Sequence, residues 1–355
     1  MNAHSQEEDA PAALGVGLCT PLGLTAQATQ AEMAAGTVRF FETDVLAKDN
    51  EPVRASVLSL LDAGLSRTER MASLAATALD GLMPQVASLQ MEQIPLYLAL
   101  PEPGSGSPFD VGVVLEALAR IATPVRITVS GDFLFPEGRA GFFRALAKAY
   151  SLLISHKDTA VLIGGIDSMC DRGSLAHHAH TERSLGANTQ DGILPGEGAG
   201  FLLLCSSKTC RRLQLSPQAW VLGSSLAQEP HSFLRQQPSI GIGLTDAFEH
   251  LQRHPIAGNR RVDHVFSCQT GEVFWAKEFN YSYLRNALLM PEPLTVNLVA
   301  ESLGDVGAAA GVIQFGNALH QLSGQSIMDN EAPRALLYGC SDAGHVGACV
   351  IKLRK

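Results

Sequence analysis

A chain of 355 residues is long enough for two domains or one large duplicated unit. With 46% hydrophobic against 17% charged residues, much of it must be buried, as in layered α/β proteins whose strands are covered on both faces. The formal charge of −9 without a basic stripe argues against nucleic acid or an anionic membrane as a partner, and seven cysteines without Cys-x-x-Cys spacing argue for a reducing compartment and against a disulfide framework or a thiolate zinc site.

In chain order, residues 1–12 read as a disordered leader, polar and acidic rather than a signal peptide. No apolar run reaches the roughly 18 residues that span a bilayer, so the expected location is cytoplasmic, with no membrane partner. Residues 13–19 alternate small and apolar side chains, a short buried strand stopped by Thr20-Pro21-Leu22-Gly23. Thr25 caps a helix that runs to Gly36, with Leu24, Ala28 and Met33 among its apolar positions. Residues 37–64 look irregular. Ser66-Arg67-Thr68-Glu69 is a capping box, and behind it Met71, Leu74, Ala75, Ala78, Leu79 and Leu82 share one helical face. A strand over 94–100 tolerates Pro95 near its start. A Pro/Gly/Ser-rich loop (101–108) and a helix (109–121) follow.

Residues 125–168 are the centre of the reading: a strand (125–130), a turn (131–138), a helix from 139 to about 156, and a buried strand ending on Gly164-Gly165-Ile166-Asp167. The helix is apolar on several sides through Phe142, Phe143, Leu146, Ala149, Leu152 and Leu153, which suits the middle of a protein. A strand that turns sharply into a helix is where many α/β enzymes hold a nucleophile, because free N–H groups and a positive dipole end lie there. This turn contains no Cys, Ser or Thr.

Residues 166–193 form a long connection of the kind that tends to be functional or to cover an active site. His177, His178 and His180 with Glu182 have the look of metal ligands, yet a polar connection without a thiolate or second His pair reads as solvated surface. Residues 194–200, Leu-Pro-Gly-Glu-Gly-Ala-Gly, lead into a buried strand (201–204); a phosphate-binding loop would lead into a helix. The stretch 205–217 looks like a crossover between an N-terminal half (13–210) and a C-terminal half (211–355). The second half reads as a strand (219–225), a helix (240–253), a strand (264–267), a helix with Phe274, Phe279 and Leu284, a strand (294–299), a Gly/Ala-rich helix (304–322) and two strands (335–338 and 346–353). Ala160-Val161-Leu162-Ile163-Gly164-Gly165-Ile166-Asp167 is echoed by Ala335-Leu336-Leu337-Tyr338-Gly339-Cys340-Ser341-Asp342. The echo implies a duplicated βαβ-containing unit with its two apolar helices between two sheets.

These motifs, in this order over about the whole chain, resemble the thiolase-fold condensing enzymes and, within them, the β-ketoacyl synthases. Gly15-Val16-Gly17 with Thr20-Pro21-Leu22-Gly23 is similar to their first strand and turn. Residues 160–167 are similar to their strand ending in two glycines and an acid, and Asp191-Gly192 with Gly196-Glu197-Gly198-Ala199-Gly200 to their glycine signature. Gly307-Ala308-Ala309-Ala310-Gly311 and residues 339–352 fall at the second central helix and the C-terminal loop and strand. The resemblance implies an α/β, duplicated thiolase-like, five-layered α-β-α-β-α fold. It also implies a homodimer in which the strand carrying Val125, Ile127 and Val129 pairs antiparallel with its copy.

An active member of that family attacks an acyl thioester with a Cys at the elbow, and uses two His, or a His and an Asn, with a nearby Lys on the malonyl partner. Placed on this sequence, the Cys position falls on Arg139 (on Gly138 if the turn is shorter), the first His on Cys268, the second His on Asp305 and the Lys near Ala300. No catalytic residue, cofactor or metal is therefore expected. Arg139 is expected to pair with a carboxylate, Asp305 or Glu137, or else to receive a partner's carboxylate or a phosphate. Cys268 either fills a small buried space or is a relocated nucleophile. Phe133, Phe135, Phe142 and Phe143 either line an acyl tunnel or fill the core. Asp342 and His345 pair an acid with a His, but close together along one loop.

The resulting expectation is a pseudoenzyme: a homodimeric protein-binding scaffold or adaptor, similar to the ketosynthase-like proteins of type VI secretion modules that load or chaperone an effector or spike component. The alternatives are a chain-length-factor-like subunit partnering an active β-ketoacyl synthase, and an acyltransferase with displaced chemistry at Cys268.

Overall fold

A computed structural model describes residues 9–121, 125–155, 159–186, 189–235, 237–323 and 331–354. The first half contains β1 (Ala12–Cys19), α1 (Ala26–Ala34), β2 (Phe41–Leu46), β3 (Pro52–Ala55), α2 (Arg67–Asp80), α3 (Met83–Ala87), β4 (Gln93–Ala99), α4 (Val111–Ala119), β5 (Arg126–Thr128), β6 (Leu134–Phe135), α5 (Gly141–Ser155), β7 (Ala160–Ser168), α6 (Arg172–His180), β8 (Glu197–Cys205) and α7 (Ser207–Arg212). The second half contains β9 (Ala219–Gln228), α8 (Ile242–Arg253), β10 (His264–Ser267), α9 (Val273–Arg285), β11 (Val296–Leu298), α10 (Ala300–Leu303), α11 (Ala310–Leu322), β12 (Arg334–Cys340) and β13 (His345–Leu353).

The strands follow one order twice: β5-β4-β7-β8-β1 and β11-β10-β12-β13-β9. The direction of pairing repeats as well. β4 is parallel to β5 and β7, as β10 is parallel to β11 and β12. β8 is antiparallel to β7 and β1, as β13 is antiparallel to β12 and β9. The two sheets meet at one short joint, where Ala12 and Ala13 pair with Trp220 and Ala219. The echoed segments are thus β7 and β12 with the turns that follow them, and each strand is the third of its sheet.

Alternation along the central strands sorts their side chains into three cores. Val161 and Ile163 of β7, with Ala335 and Leu337 of β12, face a shared core built on Phe142, Phe143 and Leu146 of α5 and Val312 and Phe315 of α11. Ala160 and Leu162 face the other way, onto Leu74 and Ala78 of α2 and Val114 of α4. Leu336 and Tyr338 face Phe248 of α8 and Phe279 of α9. The molecule is therefore layered as α2/α4, sheet, α5/α11, sheet, α8/α9, the five-layered arrangement expected. Burying a side chain such as Phe142 fully contributes about 1.5–3 kcal/mol, and α11 is buried on all sides from Ala310 to Leu319, which only a central helix can be.

Four expectations need correction. Residues 1–8 of the 1–12 leader lie outside the described residues, but Ala10 is buried in the outer core beneath α8 and α9, and β1 starts at Ala12 because its first residues make the joint with β9. Residues 37–64 include the hairpin β2–β3, which packs Val45, Val53 and Ala55 under Leu175 and Ala179 of α6; a two-stranded piece with only those three residues buried leaves little alternation to read. The strand placed at 125–130 shortens to Arg126–Thr128, an edge strand on β4, and the chain then turns through a 3-10 segment, Gly131–Phe133. The helix placed at 304–322 is interrupted, with Gly304 at φ 67° and Gly307 at φ 49°. A Cβ on Gly307 would lie 1.9 Å from Asp167 Oδ2, so the bend admits the carboxylate that closes the site.

Candidate functional site

The C-terminal ends of β7, β10 and β12 point to one place, between the starts of α5 and α11. Arg139 lies there on a 3-10 turn (Gly138–Ala140) that leads into α5. Gly138 adopts φ 52°, a left-handed conformation that glycine takes without strain. Cys268 follows β10, Asp305 follows α10, and Asp342 lies in the turn between β12 and β13.

Arg139 is 5% exposed and fully engaged. Its Nη1 donates to Asp305 Oδ2 at 2.6 Å, its Nη2 to Asp342 Oδ1 at 2.6 Å and its Nε to the Cys340 carbonyl at 3.1 Å. The guanidinium also lies 4.7 Å from the Trp275 ring centre, a cation–π contact. Arg183 supplies a second cation: it donates to both oxygens of Asp342 and, from Nε at 2.9 Å, to Glu272. Glu272 is held further by Thr270 Oγ1 at 3.0 Å and Trp275 Nε1 at 2.8 Å. Charges buried this deeply are tolerated only when paired and hydrogen-bonded. Burial by itself would raise the Asp342 carboxyl, but Arg139 and Arg183 outweigh it and hold it at about 2. Glu102, which accepts the Asp342 and Ala343 N–H groups at 2.9 and 2.7 Å, is pushed upward by burial and then by Asp342.

Two more buried pairs brace this cluster from the first half. Arg67 Nη2 meets Asp167 Oδ1 at 2.9 Å, and the other Asp167 oxygen accepts the Ala308 N–H at 3.0 Å. Arg70 grips Glu197 through Nε at 2.8 Å and Nη2 at 2.7 Å; Ser168 Oγ and the Leu58 N–H complete the carboxylate. The glutamate of the glycine signature therefore ties β8 to α2. His178 is 1% exposed with neither ring nitrogen hydrogen-bonded, and burial together with Arg183 lowers it to about 3. The space left among Glu102, Arg139, His178, Arg183, Asp305 and Asp342 is about 20 Å³, room for roughly one water.

Arg139, Cys268 and Asp305, chosen from separate parts of the sequence, are thus brought together. Asp305 is one of the two partners anticipated for Arg139; the other, Glu137, pairs with Arg144 instead. Cys268 is buried, and its Sγ accepts the Cys340 N–H at 3.1 Å. Ala300 heads α10 and brings no polar side chain. Val125 is already buried in the outer core of its own chain, Ile127 is half-buried and Val129 is exposed. Phe142 and Phe143 pack edge to face at 5.3 Å inside the central core. Asp342 does not act with His345 but with two arginines. The solvated surface read at 177–180 holds for His177 and His180 but not for His178, because the segment is a helix, α6, with His178 on its inner face. Among the described residues no group of three or more His, Cys, Asp or Glu is placed to hold a metal ion, and no helix is long and apolar enough to cross a membrane.

The sequence reading missed Arg183, Glu272, Arg67 and Arg70. Charged residues among the apolar positions of α2 were a usable signal for Arg67 and Arg70. Arg183 and Glu272 lie in connections and carry no pattern of their own.

No protein-family model matches the sequence, and neither does any curated protein. Among solved structures, 98% of the chain is similar to 72% of the ketosynthase from module 6 of the bacillaene synthase of Bacillus subtilis 168, with a TM-score of 0.76 at 14% identity. The same share is similar to the whole of a chain in AntDE:AntF, a type II acyl-carrier protein in complex with its ketosynthase, with a TM-score of 0.77 at 12% identity. It is likewise similar to the whole of a chain in the ishigamide ketosynthase/chain length factor, with a TM-score of 0.70 at 20% identity. Likeness at such identity establishes architecture: the chain has the thiolase-like fold of ketosynthases and chain length factors.

Proposed function

We propose that this chain is a ketosynthase-like pseudoenzyme, a homodimeric scaffold that acts in the cytoplasm by holding another protein, as an adaptor or chaperone loading an effector or spike component of a type VI secretion module. The observation that carries the loss of catalysis is Arg139 clamped between Asp305 and Asp342. A guanidinium has no lone pair to offer as a nucleophile, and the cavity of about 20 Å³ beside it is far below the several hundred Å³ of ordinary ligand sites. The secretion link rests on the family resemblance. The homodimer reading is supported by β5, which ends its sheet with no further strand beside it among the described residues and is suited to strand pairing across a two-fold axis.

A second reading, a chain-length-factor-like subunit of an active ketosynthase, is favoured by the similarity to the ishigamide ketosynthase/chain length factor. Acyl transfer by Cys268 is disfavoured by its burial, which opposes the thiolate and shuts out substrate, although the hydrogen bonds with Cys340 and the Arg139 charge lower its pKa.

Affinity capture from the native host, with light scattering on the purified protein, tests the three readings. A dimer that retrieves a secreted effector or spike component supports the adaptor, and an active ketosynthase among the captured chains supports the second reading. Incubation with acyl and malonyl thioesters followed by intact-mass measurement should show no adduct. An adduct abolished by Cys268→Ala would overturn the inactive reading, and a clean monomer would overturn the dimer.

A further inference from the structure

A second cleft lies beside the hairpin β2–β3. The inner residues of the hairpin pack on α6, and just beyond β3 the Ser56 N–H donates to the Pro195 carbonyl at 2.8 Å. β3 is thereby tied to the body of the molecule, while β2 has β3 on one side and no strand on the other among the described residues. Between β2, the loop that precedes α2 and the start of α6 runs an open cleft of about 680 Å³, a volume within the range of ordinary ligand sites. It shares no lining residue with the cavity beside Arg139.

Its walls are apolar, built from Phe41, Val57, Ala63, Leu65, Cys170 and Leu175. Phe41 is 51% exposed, so its ring is open to an aliphatic stem or a cation. Phe41, Glu42, Thr43 and Asp44 all border the cleft. Successive strand residues point to opposite faces, so a cleft that meets all four runs along the edge of the strand, where the ladder to β3 is interrupted between Glu42 and Leu46.

The charges that line it do not balance. Arg70 is taken by Glu197 and Arg172 by Asp44, which leaves Glu42 and Asp171 without an ion-pair partner. Asp171 caps α6: its Oδ1 accepts the Gly173 and Ser174 N–H groups, each at 3.1 Å, and the Ser107 hydroxyl at 2.8 Å. Its Oδ2 has no hydrogen-bond partner, although the residue is only 5% exposed. A carboxylate left so favours a cationic donor.

We infer that this cleft receives a lysine or arginine side chain from an extended segment of a partner protein. The aliphatic stem lies against the apolar walls, the cation faces Glu42 and Asp171, and the main chain of the segment runs beside β2. A free alkylamine would leave most of the cleft empty, which makes a peptide segment the occupant that its volume suits. The inference rests on the reading of the chain as a holder of another protein, and it gives that reading a surface and a partner chemistry.

Fluorescence polarisation of the full-length protein with short labelled peptides tests it, each peptide consisting of threonine and serine around a central lysine, arginine, norleucine or glutamate. The lysine and arginine peptides should bind saturably, and the norleucine and glutamate peptides at least roughly tenfold more weakly. Glu42→Lys, which reverses a charge of the cleft, and Ala63→Trp, which fills it, should each weaken the lysine peptide by roughly tenfold or more. Both positions are exposed, so neither variant should move the thermal midpoint. In wild-type protein the lysine peptide should slow amide exchange at residues 41–46, a reading that needs no variant to fold. No binding at all, equal binding of the lysine and norleucine peptides, binding that survives Ala63→Trp, or hexylamine binding as tightly as the lysine peptide would each overturn the inference. So would self-association abolished by Ala63→Trp, which would put a second copy of this chain in the cleft. If a partner captured from the host is retained equally by Ala63→Trp, the cleft inference fails and the adaptor reading stands. If capture retrieves only an active ketosynthase while the peptides behave as expected, the adaptor reading fails and the cleft stands.

Discussion

Arg139 and Asp305, 166 positions apart in sequence, meet through a 2.6 Å ion pair at the starts of the two central helices. With one partner removed, Asp305 would be a buried charge without its cation, and Asp342 would keep only Arg183. Arg139→Met should therefore destabilise the fold by about 3–5 kcal/mol, read as a lower urea midpoint. Adding Asp305→Asn, which keeps an oxygen for the Gly307 N–H, should recover part of that loss. An unchanged midpoint in the single variant would show that the pair is not holding the two halves together.

Buried and exposed ion pairs should differ sharply. Glu197 has both oxygens committed, to Arg70, Ser168 and the Leu58 N–H, so Glu197→Gln leaves the Arg70 cation unpaired and should cost about 3–5 kcal/mol. The Lys48–Glu182 pair is closer than most, at 2.6 Å, yet more than half exposed. Glu182→Gln should leave the denaturation midpoint where it was, and equal effects at the two sites would contradict this account of burial.

Helix propensity and packing oppose each other at Gly311. Alanine gains about 1 kcal/mol over glycine in a helix interior, but a Cβ at Gly311 would come within 2.6 Å of Phe142 Cβ. At Gly316 the nearest atom is the end of the Gln30 side chain, at 3.0 Å, which can move. Gly311→Ala should lose about 1–3 kcal/mol through overpacking, and Gly316→Ala should cost less. Thermal unfolding of the two variants ranks them, and the reverse order would mean that α5 and α11 are less closely packed than described.

Acid sensitivity should come from two groups of opposite sign. His178 stays neutral in the folded chain down to about 3, against 6.5 for the ordinary imidazole. As pH falls from 6.5 toward 3 the unfolded chain takes up a proton that the folded chain refuses, so stability falls, by at most about 1.4 kcal/mol per pH unit. Glu278 is raised by burial from 4.5 to about 7, so it favours the folded state below 4.5 and loses that contribution as pH rises to 7. Between pH 4.5 and 6.5 the two slopes oppose each other. His178→Leu should turn the profile so that stability increases toward pH 4.5, and Glu278→Gln should steepen the acid loss. Urea midpoints across this range check both, and parallel profiles for the two variants would exclude the assignment. Below about pH 4 a further loss should follow as Asp342 protonates toward its value of about 2.

Local chemistry made much of the fold legible. The capping box Ser66–Glu69 is present as read, and alternation for β1 and short apolar runs for β4, β7 and β10 placed these strands within a few residues. The repeat of Ala160–Asp167 at 335–342 announced two equivalent sheets. Where the signal was weaker the reading failed: the exposed hairpin β2–β3 shows little period, and the interruption before α11 depends on room for Asp167, a residue from the other half.

What the sequence determined by itself is composition at positions. No Cys, Ser or Thr stands in residues 131–138, and the resemblance by itself led to Arg139, Cys268 and Asp305 as the positions to inspect. What only the tertiary structure decided is which charges meet. Arg139, Arg183, Glu272, Asp305 and Asp342 come from five separate segments, and a charged residue carries no mark of its partner because the energy of a pair depends on distance and desolvation, both set by how the layers stack. His178 illustrates the same point: the letters around it read as a polar surface, and the packing of one helix face placed its ring away from bulk solvent.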